Sequence, residues 1–319
     1  METKMENLRN KVIQALEMKL GKEYRIFPKE QRKNNEVVRH GICIRRGDDS
    51  VFPMVYVDDF VDPYAVGELT PGNIADILLE CCNQDKIPLN IAEDLKKKKK
   101  KKELVRIRLV NYAANARELE NSPHRRFLDL AIVYYLDMEM ILPGQNGACA
   151  VTNALMEIWG VSEEELYCLG MEKLLAEDSC QITELLSYLK QDAQEEENEL
   201  EERVITELQK DQSRPKMYIG TNRKRLYGAG CLLNTALLKE MAENTGCSLM
   251  IYPGSVHEIL ILPRENGSED SLDTGDIKAI NNCSVPPNER LSNSIYLYDR
   301  VKHEVSVYSE GAPLIQGAA

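Results

Sequence analysis

Tryptophan occurs once, phenylalanine four times and histidine four times in 319 residues. Imidazole chemistry therefore has few places to sit. The longest uninterrupted apolar run, residues 130–136, has seven members. A helix that crosses a bilayer needs about 20, so no helical membrane span is expected. Nine cysteines are present, but none forms a C-x-x-C pair, and no two histidines lie close together. Tetrahedral zinc needs such spacing, so no metal site is expected. The thiols read as buried and free in a reducing compartment. No cofactor loop is legible either. Tyr227-Gly228-Ala229-Gly230 lacks the third glycine of a dinucleotide fingerprint, and a basic turn separates it from the strand before it. Its small residues fit close packing at a helix start. At the N-terminus Glu2, Lys4, Glu6 and Arg9 interrupt the apolar residues. That is no signal peptide, and the expected compartment is the cytoplasm.

Charge is plentiful and uneven. The whole chain carries −12. Residues 1–95 hold 13 basic and 17 acidic side chains, residues 96–126 hold 12 and 3, and residues 127–319 hold 15 and 32. One basic band thus sits inside an acidic protein. General polyanion binding is disfavoured, while local binding at the band stays open. The band begins with seven consecutive lysines, 96–102. Such a run stays in water, as a linker or as an exposed helix end, and it suggests a domain boundary.

The hydrophobic pattern supplies the elements. Met5, Leu8, Val12, Leu16 and Leu20 recur at helical spacing, with Gly21 as a stop. Helix, three strands and helix are expected in the first 90 residues, two of the strands at 37–44 and 51–57 with hairpin material at 46–50. Thr70 reads as the N-cap of the second helix and Pro71 as its first turn. Beyond the lysines, 105–110 reads as a strand, 112–119 as a short helix and 127–136 as a buried strand. Helices follow at 152–159 and 163–175, the latter with the capping box Ser162 and Glu165. An apolar stripe from Ile182 to Leu208 predicts one long helix or two short ones. Seven acidic residues and no basic one lie between Asp192 and Glu202. That stretch predicts a helix leaving the body of the protein, or a poorly ordered insert.

Residues 217–262 carry the most information. They read as strand 217–220, helix 227–243, and strands 248–252 and 258–262 around the link Pro253-Gly254-Ser255-Val256-His257. Strands 294–298 and 304–308 close the pattern.

Several residues are candidates for chemistry. His257 in the link, with Ser255 and Glu258 beside it, is the best place for a general base. Adjacent strand residues point to opposite faces, however, so a histidine that bonds backbone is the preferred reading. A Cys–His pair made by Cys149 or Cys231 with His257 would need a proximity that sequence does not reveal. Asn111 and Asn115, four apart, suit a ligand grip, with turn formation by Asn111 preferred. His124 and Arg125, in Ser122-Pro123-His124-Arg125-Arg126, suit an anion by charge, though no glycine-rich loop accompanies them. The basic band with Tyr112 is a weak nucleic-acid signal.

Four phrases carry a resemblance: VRIRLVNYAANARELENSPHRRFLDLAIVYYL at 105–136, LMEIWGVSEEELYCLGMEKL at 155–174, the block 217–263, and LSNSIYLYDR at 291–300. Together they resemble a bacterial family of uncharacterised proteins, domain of unknown function 5688, over nearly the whole chain. A more distant likeness, through the helix start at 159–166, is to a second uncharacterised bacterial family. Neither has an assigned activity, so the resemblance implies no catalytic residues. The lysine run and the acidic insert depart from the pattern and read as local additions.

The expected fold is α+β. A small N-terminal helix-plus-hairpin unit (1–95) is joined through 96–103 to a larger mixed domain (104–319) with an acidic helical insert at 191–202. The expected function is non-catalytic binding, with a protein partner favoured over nucleic acid and no membrane. The alternatives are a hydrolase or transferase centred on His257 and a nucleic-acid-associated protein using 96–126.

Overall fold

The computed structural model describes residues 3–48, 52–84, 101–140, 148–176, 179–210, 215–264 and 274–308. Most of the expected linker lies outside the described residues; its end belongs to the helical turn Lys101–Leu104. The chain divides into two compact units, Met1–Leu104 with Asp137–Cys149, and Val105–Leu136 with Ala150–Ala319. Antiparallel sheets and helices are segregated in both, which makes the fold α+β.

In the first unit, helix α1 (Lys4–Lys19) starts at a complete capping box. Thr3 Oγ1 accepts from the Glu6 amide at 3.1 Å, and the Glu6 carboxylate accepts from the Thr3 amide at 2.7 Å. Strands β1 (Tyr24–Arg32), β2 (Val38–Arg46) and β3 (Met54–Tyr56) form an antiparallel sheet in that order. Helix α2 (Pro71–Gln84) begins at Thr70, whose hydroxyl accepts from the Asn73 amide at 3.2 Å. Leu8, Val12 and Leu16 of α1 meet Ile42 and Ile44 of β2 and Ile74 and Leu78 of α2 in one core. Only one face of the sheet enters that core. The strand not placed from sequence is β1, whose inward residues include a proline and whose second half is exposed.

The second unit holds two sheets. The smaller runs in the order β4 (Val105–Asn111), β6 (Leu130–Asp137), β5 (His124–Phe127). All eight residues of β6 are buried, as an apolar run covered on both faces requires. The single strand expected at 127–136 is instead a hairpin. Phe127 pairs with Leu130, and Leu128 turns the chain at φ 56°. No glycine or asparagine announces that turn, which is why the pattern reads through it. Helix α3 (Asn153–Trp159) ends on the left-handed Gly160. Helix α4 (Glu163–Leu174) starts with Ser162 Oγ accepting from the Glu165 amide at 3.2 Å. It crosses β4 at Gly170, where a Cβ would lie 2.4 Å from the Ile107 side chain.

The larger sheet has six antiparallel strands: β7 (Gln181–Glu184), β8 (Tyr218–Thr221), β9 (Ser248–Tyr252), β10 (Ile259–Arg264), β11 (Tyr296–Asp299) and β12 (Glu304–Val307). Their spatial order is β12-β11-β9-β10-β8-β7. Ile182 therefore lies in a strand, not in the expected helical stripe. The rest of the stripe forms two helices, α5 (Leu185–Glu195) and α6 (Glu199–Gln209), with Ala193 and Ile205 buried. The acidic stretch spans the end of α5, the turn and the start of α6, and Arg225 binds Asp192 and Glu195 on the first arm. The helix expected at 227–243 is interrupted. A 3-10 segment, Gly228–Leu233, precedes helix α7 (Thr235–Thr245), and Asn234 caps α7 by accepting from the Leu237 amide at 3.1 Å. Helix α8 (Thr274–Ser284) completes the unit.

Candidate functional site

The link 253–257 is not a free turn. The Leu291 and Ser292 amides donate to Gly254 and Pro253 at 3.1 and 3.0 Å, and the Val256 amide donates to Glu289 at 2.8 Å. Ser255 bridges Arg290. The link thus lies extended against 289–292, with Ser255 and Val256 buried. A second loop approaches from β8. Asn222 closes it, accepting from the Leu226 amide at 3.3 Å and donating to the Leu226 carbonyl at 2.8 Å. The loop delivers Tyr227 at φ 56°, a rare backbone position for a bulky residue. The next residue has no room for a side chain. A Cβ on Gly228 would sit 2.5 Å from the His257 carbonyl and 2.2 Å from Thr221 Oγ1.

Two loops therefore meet at one imidazole. The Tyr227 amide donates to His257 Nδ1 at 3.3 Å, and the two rings stack with centroids 5.7 Å apart and planes 10° apart. An accepting Nδ1 places the ring proton on Nε2, which lies 3.9 Å from Glu289 Oε2. Tyr227 also meets the edge of Tyr135 at 5.0 Å, and the Arg108 guanidinium lies over its ring at 5.0 Å. Ser255 Oγ accepts from the His257 amide at 2.9 Å, and Thr221 Oγ1 donates to the His257 carbonyl at 2.8 Å. Serine and histidine are thus joined through backbone. Burial raises the Tyr188 phenol, and the charges of Asp192 and Glu258 add to that.

The other candidates are dispersed. Cys231 is buried, with its thiol 3.1 Å from the Thr221 carbonyl and against the sulfur of Cys180. Hydrogen bonding to Cys180, with burial, holds the Cys231 thiol protonated, while the bond from Cys231 lowers Cys180. Cys149 is half-buried, and that burial raises its thiol. Asn111 accepts from the Ala114 amide at 2.9 Å and donates to the Leu291 carbonyl at 3.1 Å. Asn115 donates to the Asn111 carbonyl at 2.8 Å. It lines a cavity with Arg108, Glu118, Ser122 and Tyr134 whose volume is about 10 Å³, room for a single water. His124 Nδ1 lies 2.9 Å from the Ser122 carbonyl. Arg125 is clasped by Glu163 and Glu164 and lies 3.9 Å over the Tyr167 ring. Those two carboxylates hold its guanidinium firmly charged and neutralise it toward an external anion. Among the described residues no cluster of three His, Cys, Asp or Glu side chains can hold a metal ion.

Asp129 is the polar centre that sequence reasoning missed. Its carboxylate, in the β5–β6 turn, accepts from Ser292 at 2.6 Å, Ser294 at 3.1 Å and Tyr296 at 2.5 Å. Burial and this bond raise the Tyr296 phenol. The phrase Ser-Asn-Ser-Ile-Tyr, with hydroxyls at alternate positions, was the one available hint. The four phrases of the resemblance thus converge. The first supplies Asp129, Arg125, Tyr135 and Arg108; their partners come from the other three.

No curated protein and no solved structure matches the chain. A family model does, described as a family of unknown function (DUF5688), over residues 5–300. Since that match spans nearly all of the sequence, the chain belongs to the family DUF5688.

Proposed function

We propose that the protein acts by binding a partner, without catalysis of its own, in the cytoplasm. The carrying observation is the engagement of His257: its Nδ1 accepts from the Tyr227 amide, and its neighbour Ser255 serves the backbone. A general base needs a free nitrogen within reach of a nucleophile's proton, and Ser255 Oγ is bonded to the His257 amide rather than to its ring. The cavity beside Asn115 has room for a single water and not for a substrate. No helix among the described residues is long and apolar enough to cross a membrane. The domain boundary belongs to the same proposal: an N-terminal domain at 1–95, the lysine-rich segment 96–103, and a C-terminal domain at 104–319.

A hydrolase and transferase screen of wild type against His257→Ala tests the reading. The expected result is no turnover that depends on His257. Turnover in wild type that disappears in a folded His257→Ala protein would overturn it.

A further inference from the structure

We propose that the solvent face of the first unit's sheet binds single-stranded nucleic acid. Phe27, Phe52 and Tyr56 offer stacking surfaces, and Arg25, Lys29 and Lys33 reach the phosphates. The proposal goes beyond the binding reading above and uses none of the residues around His257.

Strand alternation sets the face. Ile26, Ile42, Ile44 and Val55 point into the core, so their neighbours point to the other side. In register, Arg25 lies opposite Arg45, Phe27 opposite Cys43, and Lys29 opposite Gly41. Gly41 in turn pairs with Tyr56, and Cys43 with Met54. The outward rows are therefore Lys29–Gly41–Tyr56 and Phe27–Cys43–Met54. Gly41 keeps the face shallow: a Cβ there would lie 2.3 Å from Met54 Cε, so its absence lets Met54 lie across the strand.

Cations surround the rings. Lys33 Nζ is 4.7 Å and the Arg39 guanidinium 5.1 Å from the Tyr56 centroid. Arg25 is 5.6 Å from Phe27, and Arg45 is 5.8 Å from Phe52. Phe27 and Phe52 meet edge to face at 5.8 Å. Tyr56 is oriented by its hydroxyl, which donates to Gln31 at 2.6 Å. Two of the arginines have acidic partners: Arg39 binds Asp58 and Asp59 at 3.2 and 2.6 Å, and Arg45 lies 3.8 Å from Asp48. Arg25, Lys29 and Lys33 form no ion pair among the described residues.

Charge selects the class of partner. On this face Arg25, Lys29, Lys33, Arg39 and Arg45 stand against the carboxylates of Asp48, Asp58 and Asp59, a local excess of positive charge in a chain of net charge −12. A basic sheet face with three aromatic rings matches a strand of stacked bases flanked by phosphates. Strand addition by a peptide is disfavoured at the β1 edge, because β1 carries Pro28 and charged residues at 29, 30 and 32.

Fluorescence anisotropy of the full chain with labelled 12-nucleotide RNA, the same sequence as DNA, and a 12-base-pair duplex tests the proposal. Wild type is expected to bind single strands more tightly than duplex in 50 mM salt. The Arg25→Glu, Lys29→Glu variant should bind at least tenfold more weakly. Its salt dependence should be shallower by roughly 0.7 in log–log slope for each phosphate that the variant no longer neutralises. The Phe27→Ser, Tyr56→Ser variant should lose about tenfold or more with its slope unchanged. Replacing lysines 96–102 with alternating Ser and Glu should alter affinity less than twofold. Circular dichroism and melting establish that each variant is folded. Preference for RNA or for DNA names the strand and supports the proposal either way. No binding by wild type, a preference for duplex, or wild-type affinity in both face variants would overturn it. So would binding that disappears only with the lysine run. Any of these leaves the non-catalytic reading standing, since that rests on His257.

Discussion

Two sheets of this protein are built from strands of similar length and stand in opposite relations to water. In the first unit β1 and β2 have nine residues each, and one face of their sheet packs on helices while the other stays partly open. In the second unit the seven residues of β6 from Leu130 to Leu136 are all buried. A strand covered on one side must alternate; a strand covered on both becomes a continuous apolar run. The difference divides the work. The two-sided strand holds a body together and has no surface left for a partner. The one-sided sheet spends one row of side chains on a core; on its other face Cys43 is covered, while Arg25 and Lys29 stay at the surface.

Placing a charge in β6 attacks the covered side of the comparison and should have the largest effect. Ile132 is 2% exposed, so Ile132→Asp puts an unpaired carboxylate in the core. A loss of about 5 kcal/mol is expected, comparable to the whole stability of many domains. Soluble expression and a cooperative melt would contradict it. Asp129→Ala comes next. It removes the acceptor of three hydroxyls and should cost about 3 kcal/mol by denaturant titration. A midpoint equal to wild type would mean that water replaces the carboxylate without loss. His257→Ala should cost about 1 kcal/mol, the worth of one hydrogen bond, because the Tyr227 amide loses its acceptor. A cost above about 3 kcal/mol, the upper end for one unsatisfied group, would show that the stacked pair carries the loop. On the open side, the double change Arg25→Ser and Lys29→Ser should move stability by no more than about 0.5 kcal/mol. A larger drop would mean that the basic face is part of the core's support.

The same contrast explains what was legible. β6 was found because seven apolar residues in a row admit few other readings. β1 was not placed, since Pro28 breaks its inner row and exposed charges occupy its second half. The hairpin turn was missed because Leu128 adopts a left-handed backbone that sequence assigns to glycine or asparagine. Asn234 is a different case. It is an ordinary N-cap residue, and reading it as one would have divided the helix expected at 227–243 correctly. Around His257 the limit is physical: its ring partner Tyr227 lies 30 residues away, and Glu289 comes from another segment. No local pattern encodes that meeting. The basic hairpin was within reach, but a charge count over 95 residues averages away the excess at 22–46.

The Asp129 clasp also sets a schedule for synthesis. Asp129 leaves the ribosome 163 residues before Ser292 and 167 before Tyr296. At roughly 5–20 residues per second, the interval lasts roughly 8–33 s. Throughout it the β5–β6 hairpin carries a carboxylate whose three donors do not yet exist. Only in the last part of that interval, once Arg264 has emerged, does β9 have β10 beside it while its other edge waits for β11. The nascent second unit therefore presents an unpaired strand edge until nearly its last residues emerge, and a chaperone has that window in which to act.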